Sequence, residues 1–152
     1  MSEYRTEADV ESKYAYSILV KEILEIPEER VNLHVPVRMT QGRASVTKEA
    51  DIVLLDKNGN IMCVIESKAP TENLEKYLGQ VDSYAFYLEA PISILTNYYR
   101  MIVRTYLANN KKKIVLDMDI DSLLKSNYAE LKEIINEWKQ DSNIKLSQKN
   151  EK

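Results

Sequence analysis

Asp51-Ile52-Val53-Leu54-Leu55-Asp56-Lys57-Asn58-Gly59-Asn60-Ile61-Met62-Cys63-Val64-Ile65-Glu66-Ser67-Lys68 is the stretch on which the reading of this chain turns. Two β-rich runs, Ala50 to Asp56 and Ile61 to Ser67, flank Asn58-Gly59. Asn-Gly between apolar runs is a strong short-range hairpin signal. A two-residue loop sets Lys57 opposite Asn60, and the register follows: Leu55 faces Met62, Val53 faces Val64 and Asp51 faces Glu66. Directly opposed residues of an antiparallel pair share a face, with Cβ atoms about 4.5–5.5 Å apart. Two carboxylates are therefore expected side by side at the far end of a mostly apolar hairpin. Opposed like charges destabilise a sheet, so something positive is expected between them, and a divalent cation with oxygen ligands is the natural candidate. Alternation brings Lys68 to the same face if the strand continues that far. A metal that polarises a phosphoryl oxygen and acidifies water, with a cation beside it, is the equipment of phosphodiester hydrolysis.

Outward from the hairpin, a first helix is expected from about Glu7 to about Glu25, capped by Thr6 and stopped by Pro27, with Glu7 and Asp9 in its dipole-favoured first turn. Asn32 to Arg38 reads as a strand, followed by a polar loop around Gln41-Gly42-Arg43. Pro70-Thr71 opens a second helix with Thr71 as the cap; Leu74, Tyr77, Leu78, Val81, Ala85 and Leu88 form its core face, and Pro91 ends it. Ile92 to Leu95 and Met101 to Tyr106 read as two further strands, and a last helix as about Ile120 to Lys139. The order α-β-β-β-α-β-β-α implies an α/β sandwich around a central mixed β-sheet. One domain over residues 1–140 and a polar tail or linker over 141–152 complete the expected organisation.

Composition limits the function classes. Hydrophobic residues make up 44% and charged residues 30% of the 152, as in a soluble domain. No apolar run approaches the roughly 20 residues of a membrane span, and the polar start leads into no signal-like stretch. Cys63 is the only cysteine, which fits a reducing cytoplasm. The three glycines, at 42, 59 and 79, cannot build a phosphate-cradling P-loop. A net charge of −3 argues against gripping DNA by bulk charge and suits a site that collects carboxylates for a metal.

The tripeptide E-x-K says nothing by itself. It occurs at Glu11–Lys13, Glu66–Lys68, Glu130–Lys132 and Glu137–Lys139, and three of these fall on expected helices. The Glu66 copy alone ends an apolar strand and faces an aspartate. Its plain alternative is a solvated strand end with Lys68 paired to Glu66.

With these residues in place, a resemblance becomes plain. Glu49 to Leu55, Cys63 to Pro70, Gln80-Val81-Asp82-Ser83-Tyr84 and Leu95-Thr96-Asn97 resemble the N-terminal nuclease domain of type I restriction enzyme R subunits, a branch of the PD-(D/E)XK nucleases, over about Thr6 to Tyr106. The resemblance implies a restriction-endonuclease-like fold and a metal-dependent endodeoxyribonuclease acting on double-stranded DNA. Asp51 and Glu66 would bind Mg²⁺, with Mn²⁺ able to substitute, and Lys68 would position or activate the attacking water. Gln80 and Tyr84 would be the Q-x-x-x-Y element beside the site. Partners would be motor, methylation and specificity subunits of a restriction complex, in the cytoplasm. Ala50 stands where the family pattern has proline.

Several alternatives stay open. Gln80 and Tyr84 share a helix face four residues apart, and without the resemblance Tyr84 reads as core edge. Many nucleases of this superfamily take a further metal ligand from the first helix; Glu7 and Glu11 both qualify, although acids in a first turn also simply favour the dipole. His34 reads as structural and Cys63 as a buried hydrophobe. Lys111-Lys112-Lys113, Arg38, Arg43, Arg100 and Arg104 are either a DNA path or solvated surface. The chain is a nuclease domain cut from a larger motor protein or a stand-alone relative. Its rivals are a small nuclease or resolvase on the same fold, and a catalytically silent nucleic-acid-binding or assembly module.

Overall fold

Helix α1 begins where the sequence caps it. Thr6 Oγ1 accepts the Asp9 amide at 3.1 Å, and the Asp9 carboxylate accepts the Thr6 amide in return, a reciprocal capping box. The helix starts with α bonding over Glu7–Asp9 and continues with wider, π-type bonding over Val10–Ile23, so that Leu24 N–H donates to Leu19 five residues back at 2.9 Å. This computed structural model describes residues 4–106 and 112–138. The expected tail at 141–152 and the helix end at Lys139 lie outside the described residues.

Six strands follow in the order of the chain: β1 (Val31–Gln41), β2 (Ala44–Leu55), β3 (Ile61–Ser67), β4 (Ile92–Thr96), β5 (Arg100–Tyr106) and β6 (Lys112–Asp119). β3 and β4 are parallel, joined by a 3₁₀ turn at Leu74–Tyr77 and helix α2 (Leu78–Leu88); every other neighbouring pair is antiparallel. The sheet is mixed, as expected. The cap before α2 is Asn73 rather than Thr71: Asn73 Oδ1 accepts the Glu75 amide at 3.1 Å. Glu89, left-handed at φ 56°, closes α2 before Pro91 is reached.

Three further expectations are corrected. The first strand and the second are each longer than their apolar cores, because they form one long hairpin through Gly42-Arg43, with Gly42 at φ 61°. A strand, β6, occupies a stretch with no expected element. The last helix is two, α3 (Ile120–Lys125) and α4 (Ala129–Trp138), separated where Asn127 and Tyr128 take positive φ.

The hairpin between β2 and β3 has a wider turn than two residues. Asp56 N–H donates to Asn60 O at 2.8 Å, leaving Lys57-Asn58-Gly59 as the loop, and Leu55 pairs with Ile61, not Met62. A bulge between Leu54 and Leu55 then restores the expected frame: Leu54 pairs with Cys63, Val53 with Val64 and Ile52 with Ile65. The two deviations cancel, so the alternation reaches the far end of the hairpin unshifted.

The strand faces sort accordingly. Ile52, Leu54, Cys63, Ile65, Ile92 and Ile94 pack with Val10, Tyr14 and Leu19 of α1 and with Leu123, Leu131 and Trp138 of the last helices. Val53 and Val64 pack with Tyr84 and Ala85 of α2, while Leu95 and Ile102 meet Leu74 and Val81. Each buried Val, Leu or Ile side chain contributes roughly 1.5–3 kcal/mol. No helix among the described residues is long and apolar enough to cross a membrane.

Candidate active site

At the open end of the β2–β3 hairpin the carboxylates take over from the backbone ladder. Asp51 N–H donates to Glu66 Oε1 at 2.8 Å, and Ser67 N–H donates to Asp51 Oδ2 at 2.8 Å. Each acid caps the opposite strand. β3 stays paired with β4 along its other edge, through Glu66–Leu95 and Ser67–Thr96, and Lys68 N–H donates to Thr96 O at 2.9 Å. The extended path therefore reaches Lys68. All three are buried: Asp51 is 8%, Glu66 2% and Lys68 8% exposed.

Burial without full compensation sets the electrostatics. Burial, and next the Asp51 charge, push the Glu66 carboxyl up to about 8, against the pull of the Asp51 amide and of Lys68. Asp51 is also raised, chiefly by burial, with the Ser67 amide pulling the other way. Asp51 Oδ1 and Glu66 Oε2 accept no hydrogen bond among the described residues, so each acid keeps one uncommitted hard oxygen. Lys68 Nζ does not close an ion pair with either; it lies 3.8 Å from Glu7 Oε1 and 4.4 Å from the centre of the Tyr77 ring.

This donor set fits a hard divalent cation. Mg²⁺ typically takes one or two protein carboxylates and completes its shell with water, and an excess of buried negative charge is what such an ion relieves. Among the described residues, no group of three or more His, Cys, Asp or Glu side chains stands close enough to hold a metal ion. Glu7 and Glu11 are neighbours of the pair rather than members of an assembled four-acid cage. Glu7 is half exposed and turned to Lys68. Glu11 is raised by burial and then by the charge of Asp51, and its Oε2 lies 3.0 Å from His34 Nε2.

Gln80 and Tyr84 sit one turn apart on α2. Tyr84 is 3% exposed and packs with Val53 and Val64, and its hydroxyl is pushed up to about 12 by burial first and then by the charges of Glu66 and Asp51. It is a core residue and a neighbour of the carboxylates at once. Gln80 is half-buried, and its Oε1 is buried without a hydrogen-bond partner; it touches none of the other candidates through a hydrogen bond.

The family described as type I restriction enzyme R protein N terminus matches residues 13–134. The chain belongs to that family. A solved fragment described as the HsdR subunit of a type I restriction enzyme from Vibrio vulnificus YJ016 shares its fold, with a TM-score of 0.56 at 18% identity over 85% of this chain and 26% of that one. This R-protein N-terminal domain thus spans about a quarter of that fragment's length. The type IIG restriction endonuclease BpuSI aligns with a TM-score of 0.36 at 17% identity, over 65% of this chain and 13% of its own. No curated protein matches the domain.

Two residues of this R-protein N-terminal domain escaped the sequence reading. His34 is not a plain strand residue. It takes φ 53° between Leu33, paired with Ile52, and Val35, paired with Ala50, so it stands at the register position of Asp51. There it bridges Glu11 and Glu49, the latter at 3.7 Å from Nδ1. Counting back from a tight Gly42-Arg43 turn would have found it. Tyr77 packs against Leu74 and Val81, as its place on the core face predicts, and also lies under Lys68. No sequence signal points to that contact, which depends on how the chain turns between Lys68 and α2. Of the basic candidates, Arg100 is held by Glu75 and Asp117, and Arg104 by Asp82, while Arg38 and Arg43 are exposed on the β1–β2 hairpin. Lys111 lies outside the described residues.

Proposed function

We propose that this domain is a Mg²⁺-dependent endodeoxyribonuclease of the PD-(D/E)XK type, cutting double-stranded DNA as the nuclease part of a type I restriction enzyme. The observation that carries the reading is the mutual capping of Asp51 and Glu66 at the buried end of the hairpin, with one free oxygen on each and Lys68 beside them. Asp51 and Glu66 would hold the ion, with Glu7, within electrostatic reach of both, and Glu11, within reach of Asp51, as the first-helix acids that could join them. A bound Mg²⁺ supplies Lewis-acid polarisation of a phosphoryl oxygen and acidification of water. Lys68 contributes a positive charge that orients the attacking water and stabilises charge developing on the phosphate. Tyr84 closes the apolar side of the site, and Gln80, one turn away on α2, holds a buried amide oxygen with no hydrogen-bond partner among the described residues, a place for an ordered water.

The proposed setting is the cytoplasm, with motor, methylation and specificity subunits as partners, and Mn²⁺ as a substitute metal. The test is nicking and linearisation of supercoiled plasmid by the 152-residue chain with Mg²⁺ or Mn²⁺. Wild type should cut, Lys68→Ala should not, and Gln80→Ala should cut much more slowly. A Lys68→Ala variant that cuts at the wild-type rate overturns the reading.

Two observations favour a second reading, a silent nucleic-acid-binding or assembly module. No three ligating side chains are gathered among the described residues, and the net charge is −3. Metal titration separates the two: a live site gains thermal stability with Mg²⁺ as RT ln(1 + [L]/Kd), and a silent module does not.

A further inference from the structure

Lys68 is an almost fully buried ammonium whose ion pair among the described residues is a long one, 3.8 Å to a half-exposed Glu7. A buried charge needs close partners. The face of Tyr77 lies against it, with Nζ 4.4 Å from the ring centre. An ammonium within about 6 Å of an aromatic centroid is attracted by the ring quadrupole.

The ring is itself held. Tyr77 OH donates to Glu72 Oε2 at 2.9 Å, and Asn97 Nδ2 donates to the Glu72 carbonyl at 2.9 Å. Asn97 is 7% exposed and its Oδ1 accepts the Arg100 amide at 2.9 Å. Asn97 follows Thr96, whose carbonyl accepts the Lys68 amide. The contacts thus form a closed circuit. The backbone of Lys68 is fixed to the end of β4 directly, and its Nζ is fixed to the same strand end through Tyr77, Glu72 and Asn97.

We propose that Tyr77 is a positioning residue for the Lys68 ammonium, a function that rests on the nuclease reading above. A lysine is a point charge on a flexible four-carbon stem. Without a platform its nearest deep attractions are the Asp51 and Glu66 carboxylates, where it would stand in the place of a cation. The Tyr77 face keeps Nζ beside the carboxylate pair and out of it. Glu72 and Asn97 fix the height of that face, and the β3–α2 connection carries the platform.

The test has two readouts. In the metal-free chain, proton NMR of the Lys68 ε-methylene should show upfield ring-current shifts in wild type and in Tyr77→Phe, and ordinary values in Tyr77→Leu. Leucine keeps the apolar packing against Leu74 and Val81, and a thermal melt checks that both variants fold. In plasmid cleavage at saturating Mg²⁺, Tyr77→Leu should lower kcat by roughly ten- to a hundredfold with little change in KM, the range that loss of positioning produces. Tyr77→Phe keeps the ring and should retain most of the rate. Unshifted Lys68 signals in wild type overturn the proposal whether or not DNA is cut. So does a Tyr77→Leu variant that cuts as fast as wild type. If wild type cuts nothing, the nuclease reading fails, and the ring-current shifts of the three proteins alone decide whether Tyr77 positions Lys68.

Discussion

The β2–β3 hairpin carries buried acids at both ends, and they behave differently. At the turn, Asp56 is 1% exposed and its Oδ1 accepts the amides of Asn58 and Asn60, both at 2.9 Å. At the open end, Asp51 and Glu66 accept one amide each and face one another. The turn acid is folded into local backbone bonding and builds a loop. The open-end acids each retain a free oxygen, and burial together with the charge of Asp51 raises Glu66. Residue type and burial are shared; the number of amides offered to each carboxylate decides between architecture and chemistry.

The widest separation between the two ends should appear in activity. Glu66→Gln and Asp51→Asn keep the shape and can still accept the opposite amide, yet each should reduce Mg²⁺-dependent cleavage roughly a thousandfold and abolish stabilisation by Mg²⁺. An Asp51→Asn variant whose melting temperature still rises with Mg²⁺ breaks the comparison. Asp56→Ala should do the reverse. It should cost about 1–3 kcal/mol of stability, read by urea denaturation, because the two turn amides lose their acceptor, while the Mg²⁺ response is kept.

A pH series sharpens the contrast. Glu66, raised from its ordinary 4.5 to about 8, holds its proton in the folded state where the unfolded chain has released it. The metal-free domain should therefore be fully stable below about pH 4.5 with respect to this group and lose stability as pH climbs toward about 8. Glu66→Gln should flatten that fall, and Mg²⁺ should oppose it. A wild-type melting temperature that rises over the same range contradicts the assignment. The smallest effect is expected for Ser67→Ala. Ser67 Oγ is buried with no hydrogen-bond partner among the described residues, so its removal should change stability by less than about 1 kcal/mol and leave cleavage within a few-fold of wild type.

Much of the hairpin was legible because its signals are local. Asn58-Gly59 marked the turn and period-2 burial marked the faces. The register near Asp51 emerged correctly although the loop is a residue wider than expected, since the bulge beside Leu55 offsets it. β6 was not legible for a physical reason: it is an edge strand, Ile114 is 47% exposed and only Leu116 is buried, so alternation is weak. The break between α3 and α4 was hidden by the opposite effect. Leu123, Tyr128, Leu131 and Ile135 keep a helical spacing that spans the interruption, and Tyr128 turns in to bond the Tyr14 hydroxyl at 2.7 Å. In the site, Asp51, Glu66 and Lys68 follow from pairing and alternation. His34 could be reached by counting register from Gly42-Arg43, whereas the Tyr77–Lys68 contact depends on a tertiary turn that residue spacing does not encode.

The strand order of the sheet repeats the order of synthesis. Each strand is laid beside the one made before it, and a single helical crossover, α2, interrupts the succession of hairpins. By the time Asn97 has been added, every residue of the site and of the Lys68 circuit already exists, and β1 to β4, which frame them together with α1 and α2, can pair without waiting for later chain. β5 and β6 then extend the sheet beside β4, and the last two helices pack on the apolar face of β3 and β4. A growing polypeptide of this design can assemble its chemistry first and its shelter afterwards.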